Sequence, residues 1–174
     1  MQRHQLEHII RAAAAITGGE QFVIIGSQAV LGQFPNAPAE LLASIEADVF
    51  SLRDPADNDL IDGSIGEGSP FHQTFGYYAH GVGADTAVLP EGWRDRVVPV
   101  LNANTGGGSG LCLEVHDLAI SKLVAGREKD LSFVGVLLHH HLAIPETIRQ
   151  RLASTNLDDT RRQLCLSRLQ RLVG

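Results

Sequence analysis

The sequence predicts an α/β (α+β) fold: a mixed sheet with flanking helices over residues 1–115, then a helical segment over 116–174 packed on it within one domain. Short apolar, β-branched runs such as Phe22-Val23-Ile24-Ile25 alternate with helical spacings in the first part of the chain. The last third carries helical spacing alone. At 174 residues, 44% of them hydrophobic, the chain is long enough for one domain with its own core.

Taken in order, residues 2–17 form an amphipathic helix through Leu6, Ile9, Ile10, Ala13 and Ile16, stopped by Gly18-Gly19. The strand at 22–25 runs into Gly26-Ser27, and a small-residue helix starts at Gln28. Ser44 to Phe50 alternates as a second strand. Pro55 opens a helix over 56–65, which Gly66, Gly68 and Pro70 end. Phe75–Ala79 and Gly81–Leu89 read as two strands joined by a tight turn near His80-Gly81. Val97–Leu101 and Leu111–Val115 are further strands, with Asn102–Gly110 as a flexible hairpin connection that lacks the lysine ending of a phosphate loop. His116-Asp117 cap a helix running to about Gly126. Helical stretches over 128–141, 145–156 and from Asp158 onward complete the chain.

The net charge of −6 excludes a general nucleic-acid coat protein. From Glu146 onward, however, six Arg stand against three acidic residues. That tail either meets an acidic partner or RNA, or forms the solvated outer faces of terminal helices. Cys112 and Cys165 make no disulfide framework and fit a reducing compartment. Without a signal-peptide pattern or a membrane-length apolar run, the expected location is cytoplasmic, with no membrane partner.

Two stretches carry chemistry. A turn such as Gly26-Ser27 leaves free N–H groups for an anion, with Gly26 permitting close approach and Ser27 offering its hydroxyl. Glu46 and Asp48 share one strand face, where two carboxylates repel unless a divalent cation joins them. A Gly-Ser turn followed by an acid-x-acid strand resembles the nucleotidyltransferase (polymerase-β-like) superfamily. The resemblance implies a third carboxylate on a later strand, assigned by element order to Asp85. It further implies Mg²⁺ held by Glu46, Asp48 and Asp85, and NTP as donor to an RNA, protein or small-molecule acceptor.

The second stretch runs from Leu113 to Asp130. Its Asp117-Leu118, Lys122-Leu123, Ala125, Arg127 and Lys129-Asp130 resemble a segment of uncharacterised bacterial nucleotidyltransferase-like proteins and, more distantly, of AbiEii-type toxins. On one continuous helix Lys122, Gly126, Lys129 and Asp130 would share a face, with Arg127 pointing elsewhere. Lys122 would then neutralise triphosphate charge with Ser27, while Asp130 orients that lysine or holds a metal-bound water. The catalytic set implied is Glu46, Asp48, Asp85 and Lys122, and the nucleotide-binding set Gly26, Ser27, Lys122, Lys129 and Asp130. Departures from the pattern exist: Glu46 stands where Asp is commoner, and Leu42 and Ser44 replace an Arg-x-Thr pair. Two functions follow from the resemblance. One is a Mg-dependent transferase, in a toxin–antitoxin or phage-defence system. The other is an inactive relative that binds a partner protein through its C-terminal helices, as an antitoxin or scaffold. His72, His80, His116 and the run His139–His141 read as structural or solvent-facing, since consecutive helical residues splay too far apart to share one ion.

Overall fold

The computed structural model describes residues 1–174 and places one five-stranded mixed sheet at the centre of the chain, in the order β3-β2-β1-β5-β4. The strands are β1 (Gln21–Ile24), β2 (Glu46–Ser51), β3 (Tyr78–Gly81), β4 (Val98–Val100) and β5 (Ser109–Cys112). β1 runs antiparallel to β2 and parallel to β5, while β2 and β3 are parallel. The helices are α1 (Arg3–Thr17), α2 (Val30–Gln33), α3 (Ala56–Ile65), α4 (Pro70–Phe75), α5 (Val115–Ala125), α6 (Glu128–His139), α7 (Pro145–Ala153) and α8 (Asp159–Val173). No helix is long and apolar enough to cross a membrane.

Side-chain alternation divides the sheet. α1 and α3 pack together on the face that carries Phe22, Ile24 and Val49. The other face carries Glu46, Asp48, Tyr78 and His80, because the parallel register sets Glu46 beside Tyr78 and Asp48 beside His80. One cluster of buried apolar side chains runs from Leu6 in α1 through the strands to Leu169 in α8, crossing residue 115 without interruption.

The structure departs from the expected elements at two places. Ser69 accepts a hydrogen bond from the His72 N–H with Pro70 at the first helical position, so residues 70–75 form α4, a helix the sequence reading did not expect, and Phe75 ends it instead of starting a strand. The chain then pairs with β2 only through Tyr78–Gly81 and Val82, and Gly83 turns it into a 3₁₀ turn at Ala84–Thr86. Asp85 therefore lies on an exposed turn, not on a strand. The Asn102–Gly110 connection is pinned rather than loose. Buried Glu7 accepts hydrogen bonds from the Asn102 and Asn104 side-chain amides, and α1 packs so closely that a Cβ on Gly110 would lie 2.4 Å from Ile10. Residues 115–139 are two helices, as the order of elements in the sequence predicts. Gly126, at φ 66°, ends α5 in the left-handed conformation that glycine takes without strain.

Three of the six terminal arginines are spent inside the molecule. Arg168 donates to the Leu123 and Val124 carbonyls at the end of α5, and Arg162 to those of Thr155 and Leu157. Arg151 bonds Glu114 and the fully buried Asp117, which Arg96 also clasps at 2.8 Å. Glu114, rather than His116, caps α5, accepting from the His116 N–H. His116 bridges outward, with Nδ1 2.6 Å from Glu114 and Nε2 accepting from the Ile144 N–H at 2.9 Å. Burial alone would raise the Glu114 carboxyl, but His116 and Arg151 outweigh it and hold the group down to about 2. Such a depressed pKa contributes stability that is complete above the unfolded value near 4.5 and is lost as pH falls toward 2. Urea titrations across this window are expected to show Glu114→Gln lacking an acid-dependent loss of about 3 kcal/mol that wild type suffers. Parallel curves for the two proteins would refute the assignment.

Candidate metal and nucleotide site

The site begins with a contact that only glycine allows. β1 ends at Ile24, the Ile25 N–H donates to the Asp48 carbonyl at 3.1 Å, and the chain turns away at Gly26. A Cβ on Gly26 would lie 2.0 Å from Asp48 Oδ2, so the bare backbone makes room for the carboxylate. The antiparallel pairing of β1 with β2 thus fixes Asp48 beside the Gly26-Ser27 turn, and alternation adds Glu46 on the same face.

His80 completes this cluster from β3. Its Nδ1 lies 3.3 Å from Glu46 Oε1 and 3.4 Å from Asp48 Oδ1. Glu46 also accepts a hydrogen bond from the Tyr78 hydroxyl at 3.0 Å. Ligand atoms of Glu46, Asp48 and His80 fall within 4.8 Å of one another, a set that does not include Asp85. An octahedral cation with bonds of about 2.1 Å sets neighbouring ligand atoms about 3 Å apart. The donor set therefore fits a divalent cation in both spacing and chemistry.

Lys122 approaches from α5. Its Nζ donates to Ser27 Oγ at 2.9 Å, pairs with Asp130 Oδ1 at 3.2 Å and sits 5.2 Å from the centre of the Phe133 ring. The helix is not continuous through Gly126, so the face that continuity would give does not form, yet Lys122 and Asp130 come together across the junction of two helices. Arg127, expected to point elsewhere, turns in at this junction and grips Asp130 at 2.6 Å. Asp130 is fully buried; burial would raise its carboxyl, but Arg127 and Lys122 hold it below the usual carboxylate range. With both its oxygens occupied by these cations, Asp130 orients Lys122 and Arg127. Lys129 is exposed on the rim of the cleft. The cleft itself holds about 650 Å³ between Ser27, the β2 carboxylates, His80 and the start of α6. Its apolar wall comes from Leu41, Val82, Phe133 and Val136.

The carboxyls share their charge unequally. Burial, then the neighbouring Glu46, pushes Asp48 up to about 6. Burial acts on Glu46 too, but hydrogen bonds with Asp48 and Tyr78, and the adjacent His80, hold it below its ordinary value. The two titrate as a pair.

Of the residues singled out in the sequence, Ser27, Glu46, Asp48, Lys122, Lys129 and Asp130 line this one cleft, and Gly26 lies behind Asp48. Asp85 does not line it. His80, Tyr78 and Arg127 join this cluster although the sequence reading gave them no role in it. Placing β3 correctly would have found the first two, since Tyr78 and His80 alternate as Glu46 and Asp48 do.

A family model described as "Nucleotidyltransferase of unknown function (DUF6036)" matches residues 4–136, a span that includes every side chain of the cleft. No curated protein and no solved structure matches the chain.

A carboxyl raised in the folded state costs nothing below its unfolded value near 3.8 and costs most above about 6, once ionised. Thermal melts of metal-free protein should therefore find Asp48→Asn more stable than wild type at pH 8, by about 2–3 kcal/mol. The advantage should shrink toward pH 4. A variant less stable than wild type at pH 8 would contradict the repulsive pair.

Proposed function

Because the chain belongs to this nucleotidyltransferase family of unknown function, we propose that its cleft binds an NTP and a divalent cation and transfers the nucleotidyl group to an acceptor hydroxyl. The observation that carries this reading is the convergence of Lys122 and Ser27, 2.9 Å apart, on the cleft that also holds Glu46 and Asp48. Glu46 and Asp48 would hold the cation through oxygen, and Mg²⁺ is an ion that such hard donors suit. When bound, the cation would supply charge neutralisation at the triphosphate and a lowered pKa for the attacking hydroxyl.

The chain's own groups do the rest. Ser27 donates its hydroxyl to a phosphate oxygen, the Gly26-Ser27 turn offers backbone N–H groups, and Lys122 lies against the triphosphate. Asp130 keeps Lys122 and Arg127 facing the cleft, and Lys129 adds positive charge at its mouth. The acceptor oxygen attacks the α-phosphorus in line, the bond to the bridging oxygen breaks, and pyrophosphate leaves with the electron pair. Asp48, partly buried and close to Glu46, would take the acceptor's proton. RNA or a protein side chain would serve as acceptor, in the setting of a toxin–antitoxin or phage-defence pair in the cytoplasm. Asp85, on its exposed turn, is given no part in holding the cation.

The histidine at the third position favours a second reading. A pair of carboxylates without a third supports binding more readily than turnover, and the molecule would then act as an inactive module whose C-terminal helices hold a partner protein. Transfer of label from α-phosphate-labelled NTP to cellular RNA or protein separates the two. Label that appears with wild type and not with Asp48→Asn establishes the transferase; nucleotide binding without any label establishes the inactive module.

Lys122→Gln should weaken affinity for an NTP by about tenfold or more, the loss of one charge-assisted contact to phosphate, while changing nucleoside affinity little. Equilibrium binding of ATP and adenosine, and of the other base pairs of ligands, measures this. An equal loss for nucleotide and nucleoside would place Lys122 away from the phosphates.

A further inference from the structure

On the strand beside β2, the side chain that faces the carboxylate pair is an imidazole. β3 lies parallel to β2 with His80 opposite Asp48, and the two side chains emerge from the same sheet face. Nδ1 approaches one oxygen of each carboxylate, at 3.3 and 3.4 Å, so the nitrogen forms a compact triangle with two oxygen donors. The ring is half exposed at the cleft, with no protein group other than these carboxylates pairing with it as an ion partner.

We propose that His80 is a nitrogen ligand of the cation and that it tunes the site toward Mn²⁺ over Mg²⁺. This rests on the reading that Glu46 and Asp48 hold a divalent cation. Mg²⁺ is hard, binds oxygen, and gives up its waters reluctantly. An imidazole nitrogen improves binding little for such an ion and more for first-row transition ions, which bind nitrogen more strongly in the order that begins with Mn²⁺. A neutral ring beside two carboxylates also brings no negative charge of its own, which helps least the ion that depends on charge and oxygen alone. Both effects act in the same direction.

The alternative role for this ring is that of a cationic partner that neutralises Glu46 and Asp48 in the absence of an ion. The two roles predict opposite consequences of removal. Losing a ligand weakens Mn²⁺ binding, whereas losing a competing positive charge strengthens every divalent cation alike.

Calorimetric titration of MnCl₂ and MgCl₂ into nucleotide-free wild type, His80→Ala and His80→Asp separates them, with pulsed EPR of the Mn²⁺ forms as a direct reading of nitrogen coordination. His80→Ala is expected to reduce the ratio of Mn²⁺ to Mg²⁺ affinity by about tenfold. It should also abolish the imidazole nitrogen coupling seen in wild type. His80→Asp is expected to bind Mg²⁺ more tightly than wild type does. An unchanged affinity ratio in His80→Ala, or equal tightening of both ions, overturns the ligand role while leaving the carboxylate pair in place. Failure of wild type to bind either ion overturns the ligand role and the carboxylate site together.

Discussion

The contact between the Gly26 backbone and the Asp48 carboxylate is the constraint on which the cleft depends. It exists because β1 and β2 pair antiparallel in a register that brings the end of one beside the middle of the other. A one-residue slip would turn Glu46 and Asp48 to the face covered by α1 and α3, where two ionised carboxylates would have no solvent and no partner. The buried apolar residues of β2, Ala47 and Val49, hold the register against that slip. Core packing and site geometry are set by the same alternation.

The helical half is tied to this strand pair by ionic and capping contacts. Arg168 of α8 caps the end of α5, where Gly126 lets the chain turn, and that turn delivers Arg127 and Asp130 to Lys122. Glu114, Asp117, Arg96 and Arg151 form a second anchor at the start of α5. The two anchors fix α5 at both ends, and Lys122 lies between them. The site is correspondingly frustrated without a cation, since Asp48 and Glu46 repel each other while Lys122 is occupied by Ser27 and Asp130.

Much of this was legible in the sequence because local signals and tertiary structure agree. The β-branched run at 22–25, the Gly-Ser turn and the alternation at 44–50 each have one simple reading, and they position Ser27, Glu46 and Asp48 directly. Lys122 and Asp130 came from the spacing of a motif, and they meet across two helices rather than on the face that one continuous helix would give. The part from Ser69 to Leu89 was illegible for a physical reason. Aromatic and small residues there fit either a strand or a short capped helix, and the choice is made by Ser69 and by packing against α1 and α3. That misplacement turned His80 into a turn residue and put Asp85 on a strand. Arg127 was hidden by its position after Gly126, since only the left-handed turn aims it at Asp130. The arginine-rich tail is legible as charge but not as role, because carbonyl capping leaves no pattern in sequence.

The central claim is that Asp48, held against Gly26, builds a cation-dependent nucleotide site. Calorimetric titration of each NTP into wild type and Asp48→Asn, with and without Mg²⁺, tests it most directly. Binding by wild type that requires the cation and is lost in the variant is the result this account predicts. Absence of binding for every NTP, or binding that persists in Asp48→Asn, would contradict it.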